Sequence, residues 1–212
     1  MTLRITFLGP NTELNDKLVA HVKDLIGNEV VETTVLPNTI RDVIEVTKKD
    51  DWSGYDIDWL NLWAASYRGI LQQGARDNDL VVSSSCSIDQ VVMQASWLAD
   101  QESHLENSIL IANMAGEVNS PDDAMVHRCG SVLQVLLNQA EEDAAEYWDF
   151  MYAVLPVDIE VSSASNLVLT QYNEFLKMVP VFASIPRLPD NEMSAMDALT
   201  EEVELWKAKL KS

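Results

Sequence analysis

Gly9 closes an apolar stretch, LRITFL, and opens the octet GPNTELND, after which apolar residues recur at helical spacing. A glycine between strand and helix is where a chain can wrap a phosphate. In the pattern Gly, four residues, Gly-Lys-Ser/Thr, backbone N–H groups cradle the oxygens, the lysine meets the β- and γ-phosphates, and the hydroxyl holds magnesium. Only the opening glycine is kept here; the triplet is replaced by Leu14, Asn15 and Asp16. Leu14 places a side chain where the backbone must approach phosphate. Asn15 carries no charge, and Asp16 offers a carboxylate instead of a hydroxyl. Glu13 and Asp16 set negative charge at an anion site, where one like pair at ~4 Å and an effective dielectric of ~20 costs about 4 kcal/mol. Gly9, Asn11, Thr12, Leu14, Asn15 and Asp16 therefore read as a vestigial nucleotide-binding loop. Lys17, the nearest cation, is turned about 100° from Asp16 on a helix, away from any bound phosphate.

Other reactive residue types form no set. His21, His104 and His127 stand far apart, in neither HxxxH nor HExxH spacing, and no CxxC is present, so no metal site is expected. The serine-rich run at Ser83–Ser87, SSSCS, follows a strand but lacks the G-x-S-x-G frame of a nucleophile elbow. Cys86 and Cys129 read as buried free thiols, with no neighbouring cation in sequence to favour a thiolate at Cys86. Glu141, Glu142 and Asp143, with Glu146, precede Tyr147-Trp148 and form either a solvated helix end or a partner patch. Trp52 lies in an acidic loop and Trp59 falls off the Leu60/Trp63/Tyr67 stripe; both suit local packing or a partner surface.

The elements that must position these residues follow from periodicity. Strands are expected at Leu3 to Leu8, Glu29 to Leu36, Asp79 to Ser83, Phe150 to Leu155 and Met178 to Ile185, the last an edge or bulged strand because of Pro180. Helices are expected after Gly9, with Leu14, Leu18, Val22 and Leu25 on one face, after Asn38, after Asp58, and over Ile88 to Leu98. A long helix is expected from Ala124 to Asp149. A C-terminal helix carries Met196, Leu199, Val203, Trp206 and Leu210 as a docking face. Strands alternating with helices predict an α/β fold of three layers around a mainly parallel sheet.

Further along, the resemblance to a known family widens. Asp79 to Gln90, DLVVSSSCSIDQ, looks like the strand and loop of P-loop small-molecule and nucleotide kinases, where a hydrophobic strand leads into Asp-Arg and a later Asp opens a helix. Asp89 matches that later aspartate, whereas Ser84 and Ser85 replace the Asp-Arg pair and make a vestigial strand-end site. Tyr147 to Pro156, YWDFMYAVLP, resembles the fourth strand of the same kinases. The likeness is to nicotinamide-riboside-kinase-like proteins and related AAA-type ATPases, often found in bacteriophage genomes. It implies one P-loop kinase-like domain over residues 1–212, with about five strands and a lid insertion at about 158–176. Such lids bring arginine or lysine over the transferred phosphate, yet Asp158 to Leu176 contains no Lys, Arg or His.

The chain has 212 residues and a formal charge of −20, from 34 acidic and 14 basic side chains. That charge opposes nucleic-acid backbones and anionic membranes. Its 47% hydrophobic content suits a globular core, and no run nears the ~18 apolar residues of a membrane span. MTLRITFLGP shows no signal-peptide pattern, so a cytoplasmic protein is expected, in the host cytoplasm or on a virion if phage-encoded. The resulting expectation is a catalytically degenerate P-loop kinase-like protein serving as a binding, regulatory or assembly component. It would need no cofactor, with ATP and magnesium binding disfavoured, and would engage protein partners or its own copies. Two alternatives stand beside it: a noncanonical nucleotide or small-molecule kinase that uses Lys17, and an acidic decoy for a basic protein groove.

Overall fold

The computed structural model describes residues 2–26, 33–36, 74, 76, 78–92, 95, 133–155 and 164–211. The expectations at Asn38, Trp52, Asp58, Trp59, Trp63, His104, His127 and Cys129, over 108–122, and at 158–163 lie outside them.

The apolar run Leu3–Leu8 forms strand β1, and Thr12–Ile26 forms helix α1. Strands β2 (Thr33–Leu36), β3 (Leu80–Ser83) and β4 (Phe150–Val154) follow, and all adjacent pairs run parallel. A two-residue strand β5, Arg187–Leu188, adds to the β4 edge, giving the order β2-β3-β1-β4-β5. The protein is thus α/β with a parallel sheet, as the alternation of elements predicts. β1 sits centrally because both its neighbours, β3 and β4, pair along it, and its burial on both faces matches its nearly unbroken apolar sequence.

Alternate strand residues feed two cores. Leu3, Ile5, Phe7, Leu80, Val82, Tyr152 and Val154 pack against α1 and the C-terminal helix, Glu192–Lys211. Val81, Met151 and Ala153 pack against the other face's helices: residues 87–92, residues 133–142, and Ala164–Met178. We label Ala164–Met178 α2, Pro180–Ala183 α3, and Glu192–Lys211 α4. On α4 the stripe Leu199, Val203 and Trp206 is buried, confirming a docking face.

Three expectations are corrected. Met178 to Ile185 is not a strand: α2 runs to Met178, and Pro180–Ala183 is a short helix with proline in its first turn. Proline is preorganised there, because its missing N–H is one of the helix's unbonded donors anyway. The final strand is displaced to Arg187–Leu188, where Ala153 N–H donates to the Pro186 carbonyl at 2.9 Å. The long helix does not reach Asp149; it widens into a π turn over Asp143–Tyr147, closed by Trp148 N–H on the Asp143 carbonyl at 3.1 Å. Asp143 stands three residues after Ala140, on the same helix face as the buried Leu133, Leu136 and Ala140. It is buried, so Asp143 leaves the acidic surface where Glu142 remains exposed and Glu141 half-buried. Of the stretch at 158–176, residues 164–176 lie within α2, with Tyr172, Phe175 and Leu176 in the core.

Candidate functional site

The turns that follow β1 and β3 lie side by side at the carboxyl edge of adjacent parallel strands, where open α/β sheets place their ligands. Gly9 begins the first turn with φ of 145°, and a Cβ there would stand 2.3 Å from the Val154 carbonyl oxygen. Glycine is therefore demanded by the close approach of β4, independently of any phosphate. Asn11 is the N-cap of α1: its Oδ1 accepts from the Leu14 N–H at 3.1 Å, and its carbonyl receives the Asn15 N–H at 3.0 Å. Thr12 N–H turns back to the Pro10 carbonyl at 3.1 Å. The N–H groups of Thr12, Leu14 and Asn15 are thus met by the chain's own acceptors.

Asn15 occupies the interior of the turn. Its amide donates to the Gly9 carbonyl at 3.3 Å and to the Ser84 carbonyl at 3.1 Å, stitching the β1 turn to the β3 turn. It is fully buried, and its Oδ1 has no hydrogen-bond partner. The orientation is set by the two carbonyls, since a flipped amide would face them with oxygen. At the position where the phosphate-loop pattern projects lysine, a short neutral amide thus holds two loops together. Leu14 is buried in the α1 core, while Asp16 stays half-buried on the helix. Lys17 points elsewhere: its Nζ pairs with Glu192 at 2.8 Å and with Glu13 at 3.2 Å on the exposed face between α1 and α4. Both pairs raise its pKa, the Glu192 hydrogen bond most. Its engagement there weighs against the alternative in which it serves a transferred phosphate.

The second turn is buried throughout, from Ser83 to Ser87. Ser83 Oγ donates to the Ser85 carbonyl at 2.6 Å, and Thr6 Oγ1 reaches the same carbonyl at 3.2 Å. Ser84 and Ser85 thus sit beside the Gly9 turn as packed turn residues. Cys86 is also buried, and desolvation pushes its thiol well up, so it stays protonated.

Asp89 is the most connected group of the site. It stands three residues after Cys86, at the third position of the helical segment 87–92, and its Oδ2 accepts the Cys86 N–H at 2.6 Å. That is the carboxylate half of a capping box. Its Oδ1 accepts the Gly9 N–H at 2.9 Å, across from β1, and also the hydroxyl of Tyr172 on α2. Burial pushes its pKa up to about 6 despite three donors that favour the ionised form. Sequence reasoning singled out Asp89 but missed Tyr172. A tyrosine on the buried stripe of an amphipathic helix announces core packing, and only the fold shows which partner its hydroxyl finds.

At the opposite, amino end of the sheet, an open cavity of about 360 Å³ lies beside β4, lined by Trp148, Asp149, Met151, Tyr152, Ile185 and Glu202 among others. It exists because β5 spans only two residues and leaves the start of β4 uncovered. Asp149 there bonds Arg4 N–H at 2.9 Å and pairs with Lys209 at 3.3 Å, and the Arg4 guanidinium stacks 4.9 Å from the Tyr147 ring centre. His21 is placed between α1 and α4, 3.2 Å from the Met196 carbonyl. No group of His, Cys, Asp or Glu suited to a metal ion occurs among the described residues. Nor, among them, is any helix long and apolar enough to cross a membrane.

No protein-family model matches the chain, and no match is found among curated proteins.

Proposed function

We propose that the chain is a catalytically degenerate P-loop kinase-like protein that acts as a binding, regulatory or assembly component rather than as a phosphoryl-transfer enzyme. The observation that supports this reading most is Asn15. Its amide fills the turn and bonds the Gly9 and Ser84 carbonyls, so the groups of this turn serve internal contacts. The Asn11 cap on α1 and the commitment of the Gly9 N–H to Asp89 work in the same direction. A turn closed this way would have to break several buried hydrogen bonds, at about 1 kcal/mol or more each, to admit phosphate oxygens. Function then resides on the surface, and the −20 charge favours protein partners with basic faces.

Calorimetric titration of ATP with magnesium at moderate salt tests the reading. No heat up to millimolar ligand is expected. Binding in the micromolar range, or turnover near 1 per second, would overturn it and return the chain to the kinases.

A further inference from the structure

The β4 side of the sheet ends in a step. β4 pairs with β1 over residues 150–153, whereas β5, on its other side, reaches only Ala153 and Val154 among the described residues. The chain leading into β5 does not run alongside β4. Ile185 N–H turns back to the Phe182 carbonyl at 3.0 Å, and the Pro186 carbonyl then takes the Ala153 N–H at 2.9 Å. The open cavity of about 360 Å³ lies in this wedge, with residues 150–152 on one side and residues 184–186 on the other. Its volume falls within the range of ligand sites.

The wedge has two unlike walls. Toward the face that carries α2 it meets Trp148, Met151 and Val181, all part of or packed against that apolar core. Toward the face that carries α4 it meets Tyr152 and the half-buried Glu202, whose Oε2 accepts from the Tyr152 hydroxyl at 3.4 Å. Asp149, also lining the cavity, is already engaged by Arg4 and Lys209. An extended chain sends successive side chains to opposite faces. A strand laid along residues 150–152 would therefore set alternate residues against an apolar wall and against a carboxylate.

We propose that this groove takes an extended basic segment of a partner protein, added as a strand to the edge of β4, in which apolar residues alternate with lysine or arginine. Main-chain hydrogen bonds along the edge supply affinity, and the two walls select the alternation. Residues 150–152 span only about 10 Å, so the strand is short and the contact to Glu202 carries much of the discrimination. The −20 charge of the chain draws such a segment in and opposes a second copy of the same chain. The inference rests on the reading of the chain as a binding component, but not on the state of the Gly9 turn. Nucleotide binding at that turn would overturn the earlier reading and leave the β4 groove to its own test.

An NMR titration of the isotope-labelled full chain tests this, with a blocked heptapeptide of alternating valine and lysine as the probe. Saturable shifts below about 1 mM peptide are expected at the amides of residues 150–152, together with slower hydrogen exchange there. A peptide of the same composition with its valines and lysines in separate blocks should bind about tenfold more weakly. Glu202→Gln should weaken the alternating peptide about tenfold, the worth of one charge-assisted hydrogen bond. Glutamine keeps an acceptor for the Tyr152 hydroxyl, so amide shifts away from the groove should match the wild type. No saturation up to millimolar peptide would overturn the proposal, as would shifts scattered over the acidic surface. Equal binding of the block peptide, or an affinity unmoved by Glu202→Gln, would do the same. So would amides of residues 150–152 that are protected in the free chain and released on dilution, because a second copy would then hold the edge.

Discussion

On the face covered by α1 and α4, the described buried side chains are apolar down to the Tyr152–Trp206 pair, whose ring centres lie 6.2 Å apart, with Asn15 at the start of α1 the exception. On the face covered by residues 87–92, residues 133–147 and α2, the buried set also includes Cys86, Asp89, Asp143, Gln171 and Tyr172. Both faces use the same strands, read at alternate residues. The difference is in what the layers are made to do. Apolar burial is indifferent to pH and needs no orientation beyond packing, so the α1/α4 face serves as scaffold. A buried carboxyl with neutral partners is conditional on solution conditions. Among the described residues, the buried carboxyls Asp89 and Asp143 both lie on this second face.

The largest test of that contrast is Trp206→Ala. The side chain is wholly buried, and its Nε1 donates to the Tyr152 hydroxyl at 3.1 Å. Loss of about 4 kcal/mol in a urea melt is expected, with the same value at pH 5 and pH 7. Gly9→Ala comes next, at about 3 kcal/mol, because it combines positive φ with a clash against β4 backbone. Its effect should also be independent of pH, which separates backbone strain at Gly9 from charge at Asp89.

The pH dependence itself is of similar size and opposite character. Asp89 has a folded pKa raised above its unfolded value, so its contribution is fully present below pH 4 and lost as pH rises through about 6. At about 1.4 kcal/mol per unit, roughly two units remove on the order of 3 kcal/mol. Unfolding free energies of wild type and Asp89→Asn, compared across pH 4 to 7, should converge or cross over this window; parallel curves would break the contrast between the faces. Asn15→Ala is expected to cost about 1–2 kcal/mol, by leaving the Gly9 and Ser84 carbonyls without their donor. The smallest effect belongs to Lys17→Ala. Its partners Glu13 and Glu192 are exposed, so neither Tm nor any residual ATP turnover should change measurably.

Much of this was legible in the residues. Leu3 to Leu8 forms the expected strand, and the Leu14, Leu18 and Val22 stripe forms the buried side of α1. The Leu199, Val203 and Trp206 spacing forms the docking face of α4. Each is a local period meeting a single buried surface. The failures came where two local signals competed. KMVPVFASIP is β-rich in composition, yet Pro180 suits the first turn of a helix and the strand moved to Arg187. Asp143 sits among acids that pattern as solvated, yet it also continues the Leu133, Leu136 and Ala140 spacing, and that face is the buried one.

By itself, then, the sequence determined the strand–turn–helix frame at Gly9, the absence of lysine at the tip of that turn, and the acidic charge of the whole. These are matters of residue type and short-range spacing. Only the tertiary structure decided that Asn15 reaches across to Ser84, that Gly9 is needed because Val154 lies 2.3 Å from where its Cβ would be, and that Asp89 meets Tyr172. Those partners are separated by 69, 145 and 83 positions. Their meeting follows from β1 lying between β3 and β4, a pairing set by the whole sheet's burial rather than by any segment alone.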